Sequence, residues 1–396
     1  MTNERNKYLY LLMGGHLCTD INQGAIPAIM TFLVLGDNFS LAAASGLVFA
    51  SNFLSSLIQP LIGRYADQKA RPWLMSLGVL LAGVSLAVIG FLDNYWAIIF
   101  FATISGVGVA IFHPEGGRLA NCVAGEAKGH GMSIFAVGGT LGFAIGPILA
   151  TAGIVRFGLK GTWVLVIPAI LMSALLLLSN KAFHAYSCEE KAVMAQNQGS
   201  VEMEDDWQGF GIHTITVLGR SVVSYGLNTF IPIFWLLVLR QSETVSNSSL
   251  SLFLIIGVFA NIMGGRLADR YGYQRVIRGC FLALTPLLFW FALTDSKELA
   301  TVLVMLLSLC IHGAYTPMVA LGQRFLPNQV GLASGVMMGL AGSFGGLMAP
   351  LLGWIGDNYS ITLVFILIGS IAVITTIMTF FVPPLPKERQ ANKLNY

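Results

Sequence analysis

Three short stretches carry side chains that could do chemistry in an otherwise apolar chain. In the first, His16, Asp20 and Gln23 recur at spacings of four and three, which sets side chains on one face of a helix. An acid beside an imidazole can take up and release a proton, and burial penalises the charged carboxylate. Asp20 is therefore the expected proton carrier with His16 beside it, unless the pair only locks its helix to a neighbour. The second stretch is Ile111-Phe112-His113-Pro114-Glu115-Gly116-Gly117-Arg118. Its proline interrupts helical hydrogen bonding and its glycines permit close contact. His113 and Glu115 are expected on a proton path or against a substrate, and Arg118 near an aqueous surface, paired with Asp67; all three can alternatively form a gate with no ligand. The third is Arg220, followed by Tyr225 and Asn228. A guanidinium is always charged and suits two-pronged binding of a carboxylate, phosphate or phosphonate. From a helix start near Phe210 it lies about 15 Å along the axis, where snorkelling to the surface is strained. Its partner is either Asp20 or an anionic ligand. His312 and Tyr315 are further candidate contacts, although a lone histidine is more often a packing residue.

The elements that position these groups follow from composition. Of 396 residues, 55% are hydrophobic and only 10% charged, with a mean hydropathy of +0.74; a soluble globular protein carries about 25% charged residues. Apolar runs recur from end to end, and runs of about 20 residues cross a bilayer as helices. Twelve are expected: Tyr8–Leu35, Leu41–Ile62, Trp73–Leu92, Tyr95–Glu115, Gly131–Val155 and Gly161–Ser179, then Phe210–Leu239, Ser248–Gly265, Val276–Leu293, Leu299–Leu321, Ser334–Trp354 and Ile361–Val382. The expected fold class is an all-α membrane protein of two six-helix bundles, residues 1–179 and 209–383. An acidic linker, 180–208, joins them, and a polar tail, 384–396, follows.

Lys and Arg set the orientation. Seventeen fall in one set of connections, four in the other, and Arg220 inside a span. The richer set faces the cytoplasm by the positive-inside rule, so both termini and the linker are expected there, in the cytoplasmic membrane. The halves also repeat. A polar turn, Gly63-Arg64-Tyr65-Ala66-Asp67 with Arg71, returns as Gly265-Arg266-Leu267-Ala268-Asp269 with Arg275. Ile26-Pro27 returns as Ile231-Pro232, Gln23 meets Asn228, and Gly142 and Pro147 return as Gly345 and Pro350. A parallel six-plus-six repeat is a known transporter plan.

On these residues the chain resembles the major facilitator superfamily. Gly63-x-x-x-Asp67 with Arg71, and its repeat at Gly265 and Asp269, is similar to that family's cytoplasmic loop signature, although Gln68 and Ala70 depart from it. Gly138-Gly139-x-x-Gly142-x-x-x-Gly146-Pro147 resembles the glycine-proline motif of its proton-coupled drug exporters. Gly15-His16-x-x-x-Asp20-x-x-Gln23-Gly24-Ala25-x-Pro27-Ala28 and Phe112 to Ala120 are similar to the fosmidomycin-resistance subfamily. The resemblance implies proton-coupled export of small drugs or anions, with Gly63, Asp67, Arg71, Arg118, Gly265, Asp269, Arg275, Gly142, Gly146 and Pro147 in gating and conformational switching.

Other classes are weighed against that. Uptake or facilitated passage of a sugar or organic anion is an alternative; a non-transporting receptor or intramembrane enzyme would need a large soluble domain or a catalytic set. There is no Walker sequence, serine elbow or zinc signature, and no pair of the five cysteines has metal-ligand spacing. No cofactor, metal or nucleic acid is expected. The expected partners are a small-molecule substrate, protons and membrane lipids, with the chain a monomer.

Overall fold

A computed structural model describes residues 3–36, 39–68, 71–124, 128–187, 205–326, 332–333 and 335–385. It is helical throughout, with no strand among the described residues. We number the helices in chain order. The first six are α1 (Asn3–Leu35), α2 (Leu41–Gln68), α3 (Trp73–Val88), α4 (Tyr95–Ala124), α5 (Lys128–Phe157) and α6 (Val166–Leu178). Then come α7 (Trp207–Leu237), α8 (Glu243–Tyr271), α9 (Tyr273–Ala292) and α10, which runs as Lys297–Gly313 and Tyr315–Phe325 about Ala314. The π-helical turn Gly335–Leu340 with Ala341–Leu347 and Ala349–Asn358 forms α11, and Ile361–Phe381 is α12.

Local chemistry explains where several begin. Asp206, Ser296 and Ser360 each accept a backbone N–H three residues on, from Gly209, Leu299 and Leu363, satisfying donors that a helix start leaves open. Many helices run beyond the apolar stretch, because their i to i−4 hydrogen bonds do not depend on lipid. The repeated polar turn is the clearest case. Residues 63–68 continue α2 and 265–271 continue α8, so the reversal comes later; after α8 it is made by Gly272, whose φ of 92° suits glycine alone.

Among the described residues, ten helices are long and apolar enough to cross a membrane. Two of the twelve miss that measure for physical reasons. In α7, Arg220, Ser221, Ser224 and Thr229 lower the hydropathy, and these groups are buried in protein. The run of α11 is broken into short pieces. Large apolar side chains stand exposed along the helices, among them Trp96 at 73%, Leu178 at 83% and Phe381 at 64%. Exposed apolar surface on that scale marks contact with a membrane.

The chain divides into two compact units, Met1–Ser200 with Glu243–Ser251, and Val201–Ser242 with Leu252–Tyr396. In the first, α1 packs along α5, and α4 along α2 and α3. Asn247 belongs to this unit, accepting from the Thr31 hydroxyl at 3.1 Å and donating to Thr151 at 3.0 Å. In the second, α7 packs on α11 and α12, and α9 on α10 and α12.

Candidate functional site

Glycine decides how α1 is held. A Cβ added at Gly138, Gly142 or Gly146 of α5 would strike the carbonyls of Met13, Leu17 and Ile21 in turn. This ladder brings the two backbones together, as small residues do between membrane helices, and Pro147 follows it inside the helix. Gly139 has a separate task, since a Cβ there would occupy the space of the His16 ring and the Asp20 carboxylate. The ladder thus presses a polar face of α1 against α4 and α5.

On that face Asp20 is buried, at 3% exposure. Its Oδ2 lies 3.2 Å from His16 Nε2, and its Oδ1 lies 3.0 Å from His113 Nε2 on α4. The two imidazole rings meet edge-on at 5.0 Å, and His16 stacks on Phe135 at 4.1 Å. His16 Nδ1 lies 2.8 Å from the Phe135 carbonyl. A carbonyl only accepts, so Nδ1 carries the hydrogen. A neutral His16 then turns a lone pair at Asp20 Oδ2, and two acceptors at that distance require a proton between them. The proton sits either on Nε2, making an imidazolium, or on Asp20. Either placement satisfies both contacts. By distance alone the ligand atoms of the three side chains, all within 4.8 Å of one another, could surround a cation, but both carboxylate oxygens are already engaged at hydrogen-bond lengths. Gln23, next on the face, is half-buried and makes no hydrogen bond among the described residues.

Glu115 stands apart from this triad. It is fully buried and takes the Arg118 fork at 2.7 and 3.0 Å, and the Arg71 backbone N–H donates to it at 3.1 Å. Arg118 also donates to Ser187, 2.7 Å away. His113 and Glu115 are two positions apart, which turns them to different sides of α4. The side chains of 63–70, including Gly63 and Asp67, lie outside the described residues.

In the second unit Arg220 is buried at 6% exposure, with its guanidinium 4.6 Å from the centre of the Tyr315 ring. It does not snorkel. Its Nε has no hydrogen-bond partner, and no carboxylate stands within ion-pair distance of it, among the described residues. Tyr225 and His312 lie within its field. His312 Nδ1 rests on Ser308 at 3.2 Å, with its ring edge-on to Phe253. Asn228, two turns beyond Arg220, is half-buried, and its Oδ1 has no hydrogen-bond partner among the described residues.

At the far end of this unit, Tyr273 donates to Asp269 at 2.8 Å and accepts from Arg324 at 2.9 Å, under whose guanidinium its ring also lies. Gly265 comes within 3.4 Å of Thr316, measured from an added Cβ, and Arg275 is exposed. Tyr273, Arg324 and the Phe135 carbonyl were not among the residues the sequence singled out, and Gly139 appeared there only inside the glycine-proline motif. Only Tyr273 had a local signal, four residues after Asp269.

Apolar helices in two units, each burying a few polar groups, are those of a multi-pass membrane protein. The chain belongs to the Major Facilitator Superfamily, whose sequence pattern matches residues 12–350 and 212–395. It is 26% identical over 392 residues to YfnC, an uncharacterized MFS-type transporter of Bacillus subtilis, covering 95% of this chain and 92% of that one. It is also 26% identical over 374 residues to the fosmidomycin resistance protein of Escherichia coli, covering 93% and 90%. A crystal structure of a bacterial homolog of the human lysosomal transporter Spinster superposes with a TM-score of 0.78 at 14% identity, covering 96% of this chain and 97% of that one. The fold is the major facilitator fold.

Proposed function

We propose that the protein exports small drugs or anionic metabolites, fosmidomycin among them, in exchange for protons and by alternating access. The observation that carries this reading is the His16–Asp20–His113 triad. Ionisable groups inside a membrane mark function by default, and the Phe135 carbonyl leaves a proton to be placed between His16 and Asp20. Loss of that proton towards the cytoplasm and its recovery from outside would drive the cycle, drawing on both the pH gradient and the membrane potential. The named resistance relative supports the direction and the cargo. The excess of Lys and Arg in one set of connections supports cytoplasmic termini. A monomer suffices, because the whole repeat lies in one chain. Residues 1–179 and 209–383 are the bundles that rock, joined by 180–208, with 384–396 as the tail. Asp67, Arg71, Arg118, Gly265, Asp269 and Arg275 act in switching at their cytoplasmic ends, and Glu115, clamped by Arg118, sides with these rather than with the proton.

The test is Asp20→Asn in proteoliposomes with an imposed pH gradient and fosmidomycin as probe. The variant is expected to lose uphill transport and to retain downhill exchange. If it still concentrates fosmidomycin as the wild type does, the coupling acid is elsewhere.

A further inference from the structure

The second unit holds a feature that proton coupling does not use. Arg220 is a permanent cation, nine-tenths buried, whose Nε and charge find no acceptor among the described residues. Leaving such a group uncompensated costs several kcal/mol, and a proton carrier cannot relieve it, because arginine does not release its own proton. The Tyr315 ring offsets part of the charge, and a cation over an aromatic face contributes about 0.5–2 kcal/mol at the 4.6 Å seen here. It offers no hydrogen-bond acceptor in that direction, so the planar fork remains available to a ligand. His312, tied through Nδ1 to Ser308, brings no negative charge.

We propose that Arg220, backed by Tyr315, is an oxyanion subsite that reads a phosphonate or carboxylate group of the transported molecule. The guanidinium supplies two parallel N–H donors, and the ring fixes the plane in which they point. An anion arriving there provides the counter-charge that no described side chain supplies within ion-pair distance. The proposal rests on the export reading for calling the ligand a cargo, whereas binding itself needs no gradient.

Equilibrium binding to the purified full-length protein in detergent therefore tests it, by calorimetry with three probes sharing a phenyl group: phenylphosphonate, benzyl alcohol and benzyltrimethylammonium. The wild type is expected to bind phenylphosphonate about tenfold or more tightly than the other two, as charge-assisted two-pronged pairing implies. Arg220→Lys keeps the charge and loses the fork, and should weaken phenylphosphonate about tenfold while leaving benzyl alcohol unchanged. Equal binding by Arg220→Lys and wild type would overturn the subsite. So would a wild type that prefers the cation, shows no preference, or binds no anion, whichever way the variant folds. Failure of uphill transport with anion selectivity intact would count against export alone.

Discussion

The two units place different chemistry at matching positions. Gly142 packs on the carbonyl of Leu17, and Gly345 on that of Ser221; the residues just before these carbonyls are His16 and Arg220. His113 and Tyr315 each stand 18 residues beyond the first residue of their helices, Tyr95 and Lys297. The imidazole pair of the first unit therefore corresponds to the guanidinium–phenol pair of the second. The third members differ most. Four residues after His16 comes Asp20, and four after Arg220 comes Ser224. One unit encloses a charge together with groups that can neutralise it by moving a proton; the other encloses a charge that no proton movement can remove. A duplicated scaffold has placed an adjustable charge in one unit and a fixed one in the other, the arrangement that the proposed exchange of a proton for a ligand would use.

The strongest way to break this comparison is at the glycines that support it. Gly142→Leu and Gly345→Leu should each cost about 3 kcal/mol or more by overpacking, since the added atoms meet backbone that cannot swing away. Both should fail to give a monodisperse peak on gel filtration. Gly211→Leu, where an added Cβ meets nothing within 4 Å, should behave as wild type. A tolerated Gly345→Leu beside a lethal Gly142→Leu would mean that the two helix pairs are not built alike.

The next test makes the second unit resemble the first. Ser224→Asp installs a carboxylate one turn from Arg220, where i and i+4 side chains meet. A buried pair of this kind is worth several kcal/mol to break, so the internal carboxylate should outcompete a ligand. Phenylphosphonate binding should fall about a hundredfold, while binding of the neutral benzyl alcohol holds. Unchanged anion affinity in a folded Ser224→Asp protein would show that the fixed charge is not what the ligand meets.

Much of this was legible from the chain. Long apolar runs gave the helices, and repeated residues at similar offsets gave the correspondence of the halves, because both depend on spacing alone. The His16–Asp20 face was legible for the same reason. What spacing does not carry is the choice between groups on one helix that face different neighbours. His113 and Glu115 read alike in sequence, yet the first joins Asp20 from 93 positions away and the second is clamped by Arg118. Hydropathy likewise understates α7, whose Arg220, Ser221, Ser224 and Thr229 are buried in protein. Gly139 was visible only as one glycine among several, since its use depends on the side chains it leaves room for.

The smallest effect is expected where the comparison extends to the helix ends. Each unit links an acid to an arginine there, but in unlike ways. Glu115 is fully buried and meets the Arg118 fork directly, whereas Asp269 is exposed and reaches Arg324 only through the Tyr273 hydroxyl. Water screens the second arrangement, and exposed pairs contribute about 0–1 kcal/mol. Tyr273→Phe also keeps the ring beneath the Arg324 guanidinium, 4.2 Å away, so part of the contact survives. Transport by Tyr273→Phe should stay within about threefold of wild type, with Tm nearly unchanged. Glu115→Gln, which removes a buried charge from a two-pronged pair, should lower Tm by several degrees and transport about tenfold or more. Measured side by side in proteoliposomes, the two variants rank the ends. If Tyr273→Phe costs as much as Glu115→Gln, the hydroxyl is a working part of the switch and the two ends are equivalent after all.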